Sequence, residues 1–214
     1  MTTKERYTRL VEFFSATMPD AQTELNYDSP FHLLMAVMLS AQCTDKRVNL
    51  VTPQLFAAYP TPESLAAATE EEVLQHIHSV SYPNSKAQHL IGMARMLSSD
   101  YNSIVPDSRE ELMRLPGVGR KTANVVLSVY MGQSVMAVDT HVFRVSHRIG
   151  LVPASATTPL AVEQHLCRHL SEDVIPHAHH WLILHGRYVC RAVKPLCSEC
   201  QLKDICKDFA RRNA

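Results

Sequence analysis

Lys121 and Asp139 are the residues whose types and positions most directly invite covalent chemistry. Lys121 follows two glycines in Leu115-Pro116-Gly117-Val118-Gly119-Arg120-Lys121-Thr122, and Asp139 lies downstream in Val138-Asp139-Thr140-His141. The lysine falls in the first turn of a predicted helix, where the positive helix end and adjacent Arg120 both disfavour an ammonium. A neutral amine is the nucleophile that Schiff-base formation requires. A carboxylate can take a proton from such an amine or stabilise a cationic transition state. Both residues also have plainer readings. Lys121 can be a phosphate-contacting or solvated lysine, and Asp139 can be the N-cap of a helix running from His141 onward.

A second group is the run Cys190-x6-Cys197-x2-Cys200-x5-Cys206. Thiolates this dense bind zinc or an iron–sulfur cluster. Structural zinc sites more often split into two close pairs, and only one pair is close here. A compact cubane therefore fits better, with zinc remaining open. Arg191 and Lys194 stand between the first two cysteines, where a metal-ordered loop would present them to phosphate. The other two cysteines, Cys43 and Cys167, read as buried apolar residues.

The elements that must position these groups read as helices. The chain has only six glycines, two of them at 117 and 119. Their proximity calls for a turn with positive φ or a close backbone approach. A helix over 109–114, this corner and a second helix over 122–130 ending before Gly132 would expose backbone N–H groups near a helix start, a site for phosphate. Leu115, Gly117, Val118, Gly119 and Arg120 are the candidate anion-binding residues. A Walker loop needs glycine directly before the lysine, where Arg120 stands, and a dinucleotide fingerprint needs a preceding strand and a third glycine. A plain helix–turn–helix corner is the remaining alternative.

Elsewhere, Ser29-Pro30 opens a helix over 31–39, and Asp45 caps one that Pro53 should kink or split. Thr61-Pro62 starts a short helix, and Thr69/Glu72 and Ser108/Glu111 form capping boxes. Helical periodicity covers 85–99, 160–170 and 177–187, and only Val135–Val138 reads as a strand, so the class is all-α.

Twenty-one basic and 21 acidic residues exclude global steering to a polyanion. Residues 186–214, with seven Lys/Arg against three Asp/Glu, and 109–150, with six against three, are locally basic and suit a local anionic ligand. No signal peptide or membrane-length apolar run is present, so six cysteines read as reduced thiols in a cytoplasmic chain.

Taken together, Leu115 to Val126, Val138-Asp139-Thr140-His141, His180-Trp181 through Gly186-Arg187-Tyr188, the 6-2-5 cysteine spacing and Leu39-Ser40-Ala41-Gln42 with Thr44-Asp45 resemble the bacterial endonuclease III family over roughly residues 29–206. The resemblance implies a helix-hairpin-helix DNA glycosylase fold, with two helical domains flanking a DNA-binding cleft. One would be a six-helix barrel over 22–132. The other would join 1–21 to 133–214 and carry a 4Fe–4S cluster on Cys190, Cys197, Cys200 and Cys206. It further implies a monomeric, nucleoid-associated base-excision repair enzyme acting on double-stranded DNA with a damaged pyrimidine or abasic site. Lys121 would attack C1′ of an extruded nucleotide, form a Schiff base and cut the strand by β-elimination, with Asp139 assisting. The hairpin would hold backbone phosphate, and Gln42 would fill the gap left by the nucleotide.

One segment departs from the family pattern. Where a glycine and a bulky apolar residue commonly precede Asn-x-Lys-Ala, this chain has Ser81-Tyr82-Pro83-Asn84-Ser85-Lys86-Ala87. Tyr82 can act as a stacking wedge on the opposite strand or be an exposed turn tyrosine. The neutral charge balance predicts affinity that falls away at lower salt than the family's. Two rivals remain. An adenine mismatch glycosylase of the same superfamily would lack the lysine and add a C-terminal domain after the position of Ala214. A non-catalytic iron–sulfur DNA-binding protein would have no need of the Lys121–Asp139 pair.

Overall fold

The computed structural model describes residues 1–213, whose regular elements are all helices, with no strand among the described residues. The α-helices are α1 (Thr3–Thr17), α2 (Pro30–Leu39), α3 (Asp45–Ala58), α4 (Pro62–Ala66), α5 (Glu70–Ile77), α6 (Pro83–Asp100), α7 (Arg109–Leu112), α8 (Arg120–Val129), α9 (Thr140–Ile149), α10 (Pro159–His169), α11 (Ile175–Tyr188) and α12 (Lys207–Arg212), with a 3₁₀ turn at Lys203–Ile205 before the last. None of these helices is long and apolar enough to cross a membrane.

The chain divides into two compact units, Glu24–Met131 and Met1–Thr23 with Gly132–Ala214. In the first, α2 is the central helix. From Phe31 to Leu39 every residue is buried, and all but His32 are apolar, so this helix needs neighbours all round. It packs against α3, α6 and α8. The second unit is built around α9, which packs on α10, α11 and α12, while α1 packs on α11. Its core joins Leu10 and Phe14 of α1 to Val142, Val145 and Ile149 of α9 and Trp181 and Leu182 of α11.

Helix starts follow the side chains available to cap them. Ser29, Thr44, Thr61, Thr69, Ser108 and Thr158 each accept a first-turn N–H. The cap of α3 is thus Thr44 and not Asp45, which instead places its charge in the positive first turn. Pro53 does not split that helix: one element spans it, held by buried Val51, Thr52 and Leu55 around the lost hydrogen bond. The helix expected over 85–99 begins earlier, because Pro83 suits the first helical position. The one before the glycine corner stops at Leu112, short of Arg114.

The strand expected at Val135–Val138 does not form. An isolated strand among helices has no ladder to join. The segment's polar groups go elsewhere: buried His179 donates from Nδ1 to the Ala137 carbonyl at 2.9 Å. Cys43 and Cys167, read as buried, are only half-buried.

Candidate active site

The corner between α7 and α8 is built by three successive tight turns. The N–H groups of Arg114, Leu115 and Val118 donate to the carbonyls of Glu111, Leu112 and Leu115, at 3.0, 3.1 and 3.1 Å. Leu115 and Val118 bury their side chains, so they anchor the hairpin from inside and can offer a ligand only backbone. Gly117 has φ of +76°, and a Cβ there would lie 2.7 Å from the Cβ of His89. Both reasons anticipated for glycine, positive φ and close approach, hold at this position.

Gly119 is the N-cap of α8 and brings no side chain to its first turn. A Cβ at 119 would meet nothing within 4 Å. The start of α8 thus presents backbone N–H groups with no side-chain cap, beside Arg120 and exposed Lys121. A helix start of this kind suits an anion, and Lys121 places a primary amine in the same turn.

Asp139 belongs to the other unit and begins α9. Its Oδ1 accepts from the N–H groups of His141 and Val142, both at 2.8 Å. The cap is therefore real, and it occupies one carboxylate oxygen only. One turn on, the Arg144 guanidinium donates to His141 Nδ1 at 3.1 Å, to the Gly186 carbonyl at 2.8 Å and to the Cys190 carbonyl at 3.1 Å. Guanidinium cannot accept, so His141 Nδ1 is the acceptor of this pair.

Cys190, Cys197, Cys200 and Cys206 all line one cavity, together with Arg148, His185 and Phe209. Arg148 donates to Cys190 Sγ at 3.6 Å and to the carbonyls of Arg191 and Ala192 at 2.6 and 3.1 Å. The Phe209 N–H donates to Cys206 Sγ at 3.5 Å, and His185 Nε2 lies 3.8 Å from Cys200 Sγ. Burial pushes the Cys200 and Cys206 thiols up, and nearby cysteines add to the effect. Among the described residues, no three His, Cys, Asp or Glu side chains converge as a single-ion site requires. Four soft thiols around one cavity, with N–H donors aimed at two of the sulfurs, are a donor set suited to zinc or an iron–sulfur cluster.

Arg191 and Lys194 are exposed on the loop that Arg148 braces, and Lys194 has φ of +52°. Sequence reasoning missed Arg144 and Arg148, although their i,i+4 spacing puts both on one face of α9. Gln42 and Tyr82 are both exposed, each with positive φ, at 53° and 55°.

Residues 35–172 match the HhH-GPD superfamily of base excision DNA repair proteins. Over 198 residues the chain is 50% identical to Endonuclease III of Rickettsia conorii, covering 92% of this chain and 93% of that protein. It belongs to the endonuclease III family. The Escherichia coli K12 enzyme is 44% identical over 189 residues, 88% of this chain and 89% of the relative. A solved structure of a trapped endonuclease III–DNA covalent intermediate superposes with a TM-score of 0.94 at 43% identity, covering all of both chains. A thermostable thymine-DNA glycosylase, 20% identical, shares the fold, with a TM-score of 0.85 over 98% of this chain and 97% of that one. This family membership accounts for a helix-hairpin-helix at the corner between α7 and α8.

Proposed function

We propose that this endonuclease III family member is a bifunctional DNA glycosylase and abasic-site lyase that removes oxidised pyrimidines from duplex DNA. What carries the reading is the lysine in the first turn of a helix whose N-terminus no side chain caps. A DNA phosphate completes that helix end and brings the sugar to the amine. The target nucleotide leaves the base stack, since its C1′ is out of reach within a duplex.

Lys121 Nζ, as the neutral amine, attacks C1′. The C1′–N bond breaks, and its electron pair leaves with the base, which takes up a proton. Loss of the amine proton and ring opening give the iminium. Removal of a C2′ proton then expels the 3′ phosphate by β-elimination, and water hydrolyses the imine to free Lys121. Asp139, through the oxygen outside its cap, accepts a proton from the amine and stabilises positive charge on the sugar. Gln42 fills the gap left by the extruded nucleotide, and Tyr82 stacks as a wedge between bases of the opposite strand.

The four cysteines hold a 4Fe–4S cluster, supported by their common cavity and the donors around their sulfurs. The cluster supplies a rigid crosslink for the loop bearing Arg191 and Lys194, which contact phosphate. Residues 22–132 then form the barrel domain and 1–21 with 133–214 the cluster domain.

Borohydride reduction during reaction with a thymine glycol duplex tests the covalent step. A protein–DNA adduct is expected, and its absence refutes the assignment. Visible absorbance of the purified protein tests the cluster, and a colourless, zinc-containing protein rules it out.

A further inference from the structure

The turns at Gln42 and Tyr82 lie forty residues apart in sequence yet are tied together at three points. Ser81 Oγ donates to the Gln42 carbonyl at 2.7 Å. Lys86 Nζ donates to the carbonyls of Leu39 and Ala41, at 2.7 and 2.8 Å, on the stretch leading into Gln42. The Lys86 backbone N–H donates to the Tyr82 carbonyl at 3.1 Å. One residue therefore grips both turns, by its ammonium on one side and its backbone on the other. Lys86 is only 8% exposed, although lysine is seldom buried without a specific partner. Burial pushes its pKa down, and the two carbonyls at the negative end of α2 stabilise what charge it keeps.

The held backbone is unusual. Gln42 and Tyr82 are both non-glycine residues in the left-handed region. Each such conformation costs on the order of 1 kcal/mol or more and persists only where its surroundings enforce it. Both side chains are nevertheless exposed, and Tyr82 is 65% accessible. Strain is thus maintained on two side chains that pack little against the protein itself.

We propose that Lys86 and Ser81 are positioning residues. They lock the Gln42 and Tyr82 turns into one rigid two-pronged element, and that rigidity sets how strongly the enzyme discriminates the base opposite the lesion. The inference rests on the wedge reading given above for Gln42 and Tyr82. A wedge discriminates between opposite bases only if its prongs keep their spacing when one base fits worse than another. A lysine serving merely as a helix C-cap would affect folding and nothing else.

The test uses the full-length holoprotein on four duplexes, with thymine glycol opposite each of the four bases. The readout is the spread of kcat/KM among them. A second readout is fluorescence of 2-aminopurine opposite the lesion, which reports unstacking on binding. Ser81→Ala is expected to narrow the spread about fivefold, the worth of one net hydrogen bond, and to weaken the fluorescence change, with the melting temperature lowered by only about 2–4 °C. Ser81→Thr should restore both, since it keeps the hydroxyl. Lys86→Met should narrow the spread further, and if it fails to fold, Ser81→Ala decides. If Gln42→Ala and Tyr82→Ala narrow the spread but Ser81→Ala does not, the tie is overturned while the wedge stands. If none of the four alters the spread or the fluorescence, the wedge reading falls and the tie with it.

Discussion

At the start of α9, Asp139 gathers two first-turn N–H groups onto one carboxylate oxygen; at the start of α8, Gly119 gathers none. Both helices run ten residues, and both begin beside a candidate catalytic side chain. A helix start has orphan donors and a positive end in either case. Where a side chain satisfies them, the end is structurally closed, and the capping group is fixed in direction. Where none does, the end is open to an anion from outside. The fold thus aims Asp139 by making it part of its own helix. On the reading proposed above, a DNA phosphate completes the α8 end, with Lys121 in the same turn.

The widest separation between the two starts should come from deleting their reactive groups. Lys121→Ala should abolish the borohydride-trapped adduct and lower strand cleavage by on the order of a thousandfold or more, since no other amine occupies its place. Its melting temperature should barely move, because an exposed first-turn lysine contributes little to stability. An adduct persisting in this variant would show that another amine is the nucleophile.

Asp139 should behave as two residues in one. Asparagine caps a helix nearly as well as aspartate, so Asp139→Asn should keep stability while losing about 10²- to 10⁴-fold in single-turnover rate. Asp139→Ala should lose the same activity and in addition about 1 kcal/mol of stability by thermal unfolding, because two N–H groups lose their acceptor. Normal turnover in the asparagine variant would reduce Asp139 to a cap.

The same contrast explains what sequence could and could not reveal. Helix starts were read well at Ser29, Thr61, Thr69 and Ser108, where cap and helix are adjacent in sequence, whereas at α3 the acidic Asp45 was read in place of its neighbour Thr44, the actual cap. Gly117 and Gly119 were marked by their rarity in this chain. The two plain alternatives for Asp139, cap and acid, could not be separated, because one oxygen caps and the other stays outside the cap. The strand expected at 135–138 failed because a short apolar run says nothing about whether a partner strand exists. Arg144, Arg148, Ser81 and Lys86 escaped notice because each acts on a carbonyl or sulfur more than 35 residues away. Bonds of that kind have no signature in local spacing.

Within the hairpin, the two glycines should respond differently. Gly117→Ala places a side chain at positive φ and 2.7 Å from His89, and should cost about 1–3 kcal/mol of stability. A loss of only a few tenths by chemical denaturation would mean that α6 yields at His89. DNA affinity should drop as well, since the corner must open to accommodate the new methyl.

Gly119→Ser turns the α8 start into a copy of the α9 start. The backbone there, at φ −92° and ψ 174°, is ordinary extended geometry, and nothing lies within 4 Å of a new Cβ. Serine should therefore fit without strain and cap the first turn, adding a few tenths of a kcal/mol to stability. The same hydroxyl would take N–H groups that the reading assigns to phosphate, so DNA affinity should fall by about threefold to tenfold. Stability and binding moving in opposite directions would be hard to obtain any other way, since a variant that merely damages the fold lowers both. Unchanged affinity in a stabilised Gly119→Ser protein would make the hairpin a plain structural corner and return Lys121 to a lysine without a phosphate beside it.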